Sequence, residues 1–126
     1  KTDMFSRKSP GVEHYLSTGA GKRGISYNYI ITTTNARVEL YIDNGDGIWN
    51  KSAFDTLADN KSKIEVVFGH SPVWERLNDK RASAIRFSID RAGLRDMDKW
   101  PELQDYMIEM MIKFEEAFRP FIQEIA

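Results

Sequence analysis

Two stretches of the chain alternate between apolar and polar residues, the pattern of a strand that buries one face and exposes the other. They cover residues 37–43 and 84–90. The positions predicted to face the core are Val38, Leu40, Ile42, Ile85, Phe87 and Ile89. The opposite, open face is predicted to show Arg37, Glu39, Tyr41, Arg86 and Ser88, with Trp74 and Arg76 from a neighbouring short strand.

A third strand is predicted over residues 25–33, whose sequence ISYNYIITT is rich in β-branched and aromatic side chains. A turn at Thr34–Asn35 would join it to the first alternating stretch as a hairpin. The short strand at 73–77 would pair with the second stretch in the same way. Both faces of the 25–33 run are similarly apolar, so whether Tyr27 or Asn28 points inward stays open.

Apolar residues at spacings of three and four predict a helical region between the two hairpins, from Trp49 to Phe68. Asp46 is suited to cap its first turn, and Gly69 is a natural stop after its last. We expect a break in this helical region near Asp59–Asn60.

A final helix is predicted from Pro101 onward, and Pro120 should end or kink it because proline lacks a backbone donor. Residues 1–24 are rich in glycine and polar side chains, which predicts a loop with at most a short helix around Glu13–Leu16. The fold class is therefore α+β, with the order β-β-α-β-β-α after an N-terminal loop or short helix. We expect a four-stranded antiparallel sheet of two hairpins, with two helices packed on one face.

Length and composition indicate one globular domain over residues 1–126, because 41% of the residues are apolar and 29% are charged. The chain contains no cysteine, which is compatible with a cytoplasmic location and excludes disulfides. No apolar run approaches the roughly 20 residues of a membrane helix, so we expect no membrane partner. The chain begins at Lys1 without an initiator methionine, which favours a C-terminal fragment of a longer protein.

The net charge is −1, which argues against a protein dedicated to coating DNA. The charges are nevertheless uneven, since residues 1–24 and 76–99 each carry a net +3. Residues 25–75 carry −3 and residues 101–126 carry −4. We therefore expect basic loops and an acidic final helix.

The segment Ser17–Gly24 resembles a phosphate-binding loop but lacks two required residues: the first glycine is replaced by Leu16 and the Ser or Thr after Lys22 by Arg23. A tight basic turn and a looser anion nest of backbone amides both remain open for it. The stretch Asp43–Asp46 superficially resembles the start of a calcium loop, but the third and fifth ligand positions are the glycines Gly45 and Gly47.

No constellation for catalysis is present in the sequence. There is no cysteine nucleophile, no G-x-S-x-G motif and no Glu-x-Lys of the restriction-nuclease type. The two histidines, His14 and His70, are not spaced as a metal-binding pair. We expect no catalytic residue, no cofactor and no metal in this domain.

Aromatic residues interleaved with basic ones are the remaining signal, because basic side chains meet phosphates and aromatic rings stack on bases. The predicted nucleic-acid or anion contacts are Lys22, Arg23, Arg37, Trp74, Arg76, Lys80, Arg81 and Arg86. An alternative is a protein–protein or homo-oligomerisation module without nucleic-acid contact. That module would use the acidic, methionine- and phenylalanine-rich final helix or a free sheet edge.

Four segments carry a family resemblance: HYLSTGAGKRGISYNYIITTTNARVELYID, FDTLADNKSKIEVVFG, WERLNDKRASAIRF and KWPELQDYMIEMMIKFEEAF. From His14 to Phe118 the chain resembles a bacterial and archaeal family of domains of unknown function. Such domains often form the C-terminal part of longer proteins, some with a predicted restriction-endonuclease-like region. The resemblance implies a C-terminal domain and a setting in DNA metabolism or phage defence. We therefore expect a non-catalytic accessory domain that helps a nuclease-type neighbour in the same polypeptide to engage nucleic acid or a partner protein. It supplies no catalytic residues to assign to this chain.

Overall fold

A computed structural model describes residues 12–32, 36–89 and 100–125 of the chain. Its elements are β1 (Val12–Gly19), β2 (Ile25–Thr32), β3 (Ala36–Ile42), α1 (Gly47–Ala58), α2 (Lys61–Phe68), β4 (Val73–Glu75), β5 (Ser83–Ile89) and α3 (Trp100–Ile122). The strands form one sheet in the spatial order β1-β2-β3-β5-β4, and every neighbouring pair is antiparallel. The predicted α+β class is confirmed.

Strand β1 is the main departure from the predicted fold. The prediction of a loop or short helix around Glu13–Leu16 is wrong, because this segment pairs with β2 from Val12 to Gly19. The described residues therefore contain five strands and three helices in the order β-β-β-α-α-β-β-α, not four strands and two helices. Pairing with β2 satisfies the backbone N–H and C=O groups of β1. No local pattern in this glycine-rich region indicates that pairing.

Both predicted hairpins are present, and the pairing of β3 with β5 joins them into one sheet. Leu40 of β3 lies opposite Tyr27 of β2 and opposite Ile85 of β5, which places three inward side chains in one row. The predicted turn at Thr34–Asn35 and the strand end at Asp90 lie outside the described residues.

The helix boundaries follow the predicted capping residues. Asp46 Oδ1 accepts hydrogen bonds from the backbone N–H groups of Ile48 and Trp49 at the start of α1. The helical region breaks at Asp59–Asn60, as predicted, and α2 stops at Gly69, which adopts the left-handed φ of 86°. Helix α3 continues two residues beyond Pro120, which therefore stands in its last turn instead of breaking it.

The helices pack on the face of the sheet that carries Tyr27 and Tyr29, and both tyrosines are buried. This observation answers which side of β2 points inward, since Asn28 lies on the other face. The Tyr27 ring meets Phe114 of α3 edge-on at 6.4 Å. Burial and the Glu115 carboxylate raise the pKa of Tyr29 to about 12. These two tyrosines are core residues and not stacking platforms.

An aromatic cluster joins the sheet to α2 and α3. The Phe68 ring contacts those of Phe87 and Phe114 at 5.1 and 5.2 Å, and Phe114 contacts Phe118 at 4.7 Å. The predicted inward residues Val38, Leu40, Ile42 and Ile85 are buried in this core, and Phe87 is partly buried against it. The side chain of Ile89 lies outside the described part. The core therefore occupies the helix side of the sheet and leaves the opposite face polar.

Candidate functional site

Three loops meet at one end of the sheet, and we call this region the loop end. They are the β1–β2 turn (residues 20–24), the β3–α1 loop (43–46) and the β4–β5 loop (76–82). Ile42, the last residue of β3, pairs with both Ile25 and Ser83, so these three strands begin or end side by side. Residues distant in sequence therefore become neighbours here.

The first two loops are in direct contact through Gly24. Its φ is 90°, and a Cβ atom at this position would lie only 2.4 Å from Asn44 Cβ. The Gly24 carbonyl also accepts a hydrogen bond of 2.7 Å from the Asp43 N–H. Glycine is required here both for the backbone conformation and for the close approach.

The second and third loops are joined by an ion pair between Asp43 and Arg81. Arg81 Nε donates to Asp43 Oδ1 at 2.9 Å, and Arg81 Nη2 donates to Oδ2 at 2.7 Å. The hydrogen bonds from Arg81, followed by the one from the Gly45 N–H, lower the pKa of Asp43 to about 2. This carboxylate is therefore already used inside the protein and does not resemble a free calcium ligand.

Asn50 of α1 forms hydrogen bonds with both the β3–α1 loop and the β4–β5 loop. Its side chain is fully buried, and its Nδ2 donates to Asp43 Oδ1 at 3.0 Å and to the Arg81 carbonyl at 3.1 Å. Its Oδ1 accepts from the Asn44 N–H at 3.0 Å. Sequence reasoning missed this residue, although a polar side chain on the buried stripe of a helix was a usable signal.

Lys51, the next residue of α1, holds the β4–β5 loop. Its ammonium donates to the carbonyls of Arg76 at 2.5 Å, Leu77 at 2.8 Å and Ala82 at 2.7 Å, and to the Ser83 hydroxyl at 3.0 Å. Burial, together with the nearby Arg76 cation, lowers the pKa of Lys51. No feature of the sequence indicated this role, because its oxygen partners are mostly backbone atoms 25 or more residues away.

Arg76 was predicted to lie on the open face of the sheet, and this part of the prediction is wrong. It lies between the β4–β5 loop and α1. Its Nε and Nη2 donate to the two carboxylate oxygens of Asp55 at 2.8 and 2.9 Å, and its Nη1 donates to Asn78. An open groove of about 770 Å³ adjoins this ion pair. The charged residues that line the groove are Asp46, Asp55, Asp59, Lys51, Arg76 and Lys80. Equal numbers of acids and bases give this groove no net charge.

Five of the eight predicted contact residues come together at the loop end: Lys22, Arg23, Arg76, Lys80 and Arg81. The three loops hold these five cations and three carboxylates, so the region is locally positive on a chain of net charge −1. Lys22 donates to the carbonyl of Ile125 at 2.5 Å, beyond the end of α3. Arg23 and Lys80 are exposed and form no ion pair with any residue in the described ranges.

Arg37 and Arg86 lie apart from the loop end, on the predicted open face of the sheet. Arg86 pairs with Glu39 at 3.0 Å and also with Glu75, and Arg37 Nε lies 3.7 Å from Glu39. Asn28 Nδ2 donates to the second oxygen of Glu39 at 2.8 Å. The positive charge of this face is largely offset by its own carboxylates.

Trp74 does not lie on the open face, and this part of the prediction is wrong. It stands opposite Ile85 and packs against the rings of Phe54 and Phe118 on the helix side. Its indole N–H donates to Glu65 Oε2 at 3.0 Å. Strand alternation places a residue on one face or the other according to register, and the three-residue β4 was too short for its register to be read from sequence.

Tyr41 is an exposed aromatic residue of β3 beside the loop end. It lies on the polar face of the sheet, one residue before the end of β3, and 36% of its surface is accessible. The hydrogen bond and charge of Asp43, and to a smaller extent the nearby Tyr41, raise the pKa of Arg81. A ring beside a guanidinium is an arrangement that suits a base next to a phosphate.

No group of three His, Cys, Asp or Glu residues in the described ranges is arranged to hold a metal ion. No helix within those ranges is both long enough and apolar enough to cross a membrane.

The comparisons with known proteins bear on the family alone. The chain matches no curated protein and no solved structure. A family profile, by contrast, matches residues 1–122, which is nearly the whole chain. The protein therefore belongs to the family described as domain of unknown function DUF4268.

Proposed function

We propose that this domain is a non-catalytic accessory module whose loop end contacts the phosphate backbone of nucleic acid. The observation that supports it best is the convergence of Arg23 with Lys80 and Arg81, from loops that are far apart in sequence. Arg23 and Lys80 are exposed, and no carboxylate in the described ranges pairs with either. Unpaired cations can replace the counterions of phosphates, which is the main source of affinity in such contacts.

The paired cations of the loop end have a different role in this proposal. Arg76 and Arg81 are held by carboxylates, and Lys22 is held by a carbonyl. They shape the loops, while Arg23 and Lys80 meet the phosphates. Tyr41 is placed to stack on an exposed base of a single strand.

The polar face of the sheet extends this surface away from the loop end. Arg37 and Arg86 lie there, and we propose them as secondary contacts. Trp74 is omitted because its ring packs between Phe54 and Phe118.

We propose that the contact is weak and assists a nuclease-type domain of the same polypeptide. A local excess of two positive charges supports a supplementary contact better than independent tight binding. Sequence preference would then come from the neighbouring domain, since phosphate contacts position a protein without reading bases.

Fluorescence anisotropy with single- and double-stranded oligonucleotides, at low and high salt, tests the proposal. The double variant Arg23→Ala/Lys80→Ala should bind roughly tenfold more weakly, as a loss of about 1.4 kcal/mol produces. The logarithm of its affinity should also fall less steeply with the logarithm of the salt concentration, with a slope smaller by about two. The matched control is Lys63→Ala/Lys113→Ala, which removes two cations from helices outside the loop end. Absence of binding at low salt, or equal effects of the two double variants, would overturn the proposal.

A protein-interaction module, including self-association, is the second candidate. Two consecutive valines of α2 favour it, since Val66 is 80% and Val67 is 55% exposed. Light scattering after size exclusion tests this alternative. A dimer that persists at high salt and is lost in Val66→Asp/Val67→Asp would support it, because apolar association does not weaken with ionic strength.

A further inference from the structure

The environment of Lys51 is unusual for a lysine that is only partly exposed. Its ammonium has four oxygen neighbours, three of them backbone carbonyls, and none is a carboxylate. Lys51 also forms no ion pair within the part of the chain that the structure describes. A positive charge held by neutral oxygens is the arrangement that proteins use for bound monovalent cations.

The carbonyls come from both ends of the β4–β5 loop. Arg76 and Leu77 stand at its start, and Ala82 stands at its end. Carbonyl oxygens carry partial negative charge and repel one another when they converge without a cation. The ammonium of Lys51 therefore closes the loop by supplying the charge that allows these oxygens to meet.

The backbone of Leu77 supports this interpretation. Its φ is 57°, in the left-handed region that non-glycine residues rarely adopt. The same residue directs its carbonyl to Lys51 Nζ at 2.8 Å. Such a conformation persists only where surrounding contacts compensate for its cost.

Ser83 completes the arrangement. Its hydroxyl accepts from Lys51 and donates to the Arg76 carbonyl at 2.8 Å, and the residue is fully buried. The four oxygens provide an acceptor for each of the three ammonium protons of Lys51, so its hydrogen-bonding capacity is filled.

We infer that Lys51 is a built-in cation whose ammonium occupies an oxygen cage, closes residues 76–82 and so positions Lys80 and Arg81. The cage is a site for a primary ammonium ion, and a small alkylammonium can enter it once the lysine side chain is removed. The consequence for Lys80 and Arg81 as contacts rests on the proposed function, whereas the closure of the loop does not.

Hydrogen–deuterium exchange of the full chain tests the closure. Lys51→Ala should speed amide exchange in residues 77–82 by about ten- to hundredfold, because hydrogen bonds to a charged group are lost. Propylammonium replaces the four side-chain atoms that this substitution removes, and it should slow the exchange again. Tetramethylammonium at the same ionic strength has no N–H donor and should not.

Strand β2 serves as the internal reference in the same samples, and its exchange should not change. Exchange in 77–82 that is unaffected by Lys51→Ala would overturn the inference. Equal recovery with propylammonium and tetramethylammonium would also overturn it, because the effect would then be ionic and not a matter of occupancy.

A measurement on the unaltered protein does not depend on the variant being folded. In nitrogen-labelled protein the Lys51 ammonium protons should exchange slowly with water and couple to the carbonyl carbons of Arg76, Leu77 and Ala82. An ammonium signal that exchanges as fast as that of exposed Lys63 would overturn the inference.

Oligonucleotide binding separates this inference from the proposed function. If both hold, Lys51→Ala weakens binding and propylammonium restores it. If propylammonium restores the loop while no oligonucleotide binds the unaltered protein, the cage is supported and the proposed function fails.

Discussion

Glu39 of β3 lies directly opposite Arg86 of β5, and Arg86 Nε donates to Glu39 Oε1 at 3.0 Å. Asn28 stands opposite Glu39 on its other side and donates to its second oxygen. Only 6% of Glu39 is exposed, although it lies on the face of the sheet away from the helices. This face is therefore a hydrogen-bonded charge network and not a uniformly positive surface.

Removing one partner of this pair should destabilise the domain. Arg86→Met leaves the nearly buried Glu39 without its closest cation, and we expect a loss of about 3 kcal/mol in the free energy of unfolding. Adding Glu39→Gln should recover a large part of that loss, because no buried charge is then left unpaired. Urea unfolding of the two single variants and the double variant measures the coupling between them.

The control is Arg119→Met, which removes an exposed pair with Glu115 on α3. We expect it to change the free energy of unfolding by no more than about 0.5 kcal/mol. Similar losses for Arg86→Met and Arg119→Met would contradict the importance of the sheet network.

Gly24 should tolerate substitution far less well than its neighbour Gly21. Both have a positive φ, 90° and 85°, but only Gly24 lacks room for a Cβ, which would lie 2.4 Å from Asn44 Cβ. Gly21→Ala should cost about 1 kcal/mol for backbone conformation alone. Gly24→Ala should cost at least about 2 kcal/mol more, because two loops must separate. Thermal or urea unfolding compares them, and equal losses would show that the loops are not in contact there.

The stability that Asp43 contributes should depend on pH in the acid range. Its pKa is lowered from 3.8 to about 2 in the folded protein, so the folded state favours the ionised form. The contribution is fully present above about pH 5 and is lost as the pH falls through 3.8 toward 2. The difference in unfolding free energy between the protein and Asp43→Asn should shrink over that window.

Arg81→Met should remove most of the same pH dependence, since Arg81 is the main cause of the lowered pKa. Urea unfolding at several pH values measures both variants. If the difference in unfolding free energy between either variant and the unaltered protein stays constant between pH 5 and pH 2, the ion pair is contradicted.

Phe114 of α3 is expected to be one of the most sensitive core positions. Its ring contacts Tyr27, Phe68 and Phe118, and it is fully buried. Phe114→Ala should cost about 3–5 kcal/mol through lost burial and the cavity left behind. Ile112→Ala, on the same helix but 50% exposed, should cost about 1 kcal/mol or less. A chemical denaturation series that ranked them equally would contradict the packing of α3.

Some elements were predictable because their signals lie within a few residues. The alternation of Val38, Leu40 and Ile42 set their face of β3, and Asp46 and Gly69 marked helix ends through bonds to adjacent residues. Strand β1 was not predictable in this way, because the glycines at its two ends and in the turn that follows favoured a loop, and only the pairing with β2 reveals the strand.

The basic residues show the same division between local and long-range information. The sequence by itself determined the α+β class, both hairpins, the helix caps and the presence of basic loops. Only the tertiary structure decided that Arg23, Lys80 and Arg81 meet at one end, and that Arg76 and Arg86 are occupied by carboxylates. It also decided that the ammonium of Lys51 meets carbonyls 25 to 31 residues away. Periodicity and capping act over one or two turns of chain, whereas these contacts exist only once the helices pack on the sheet.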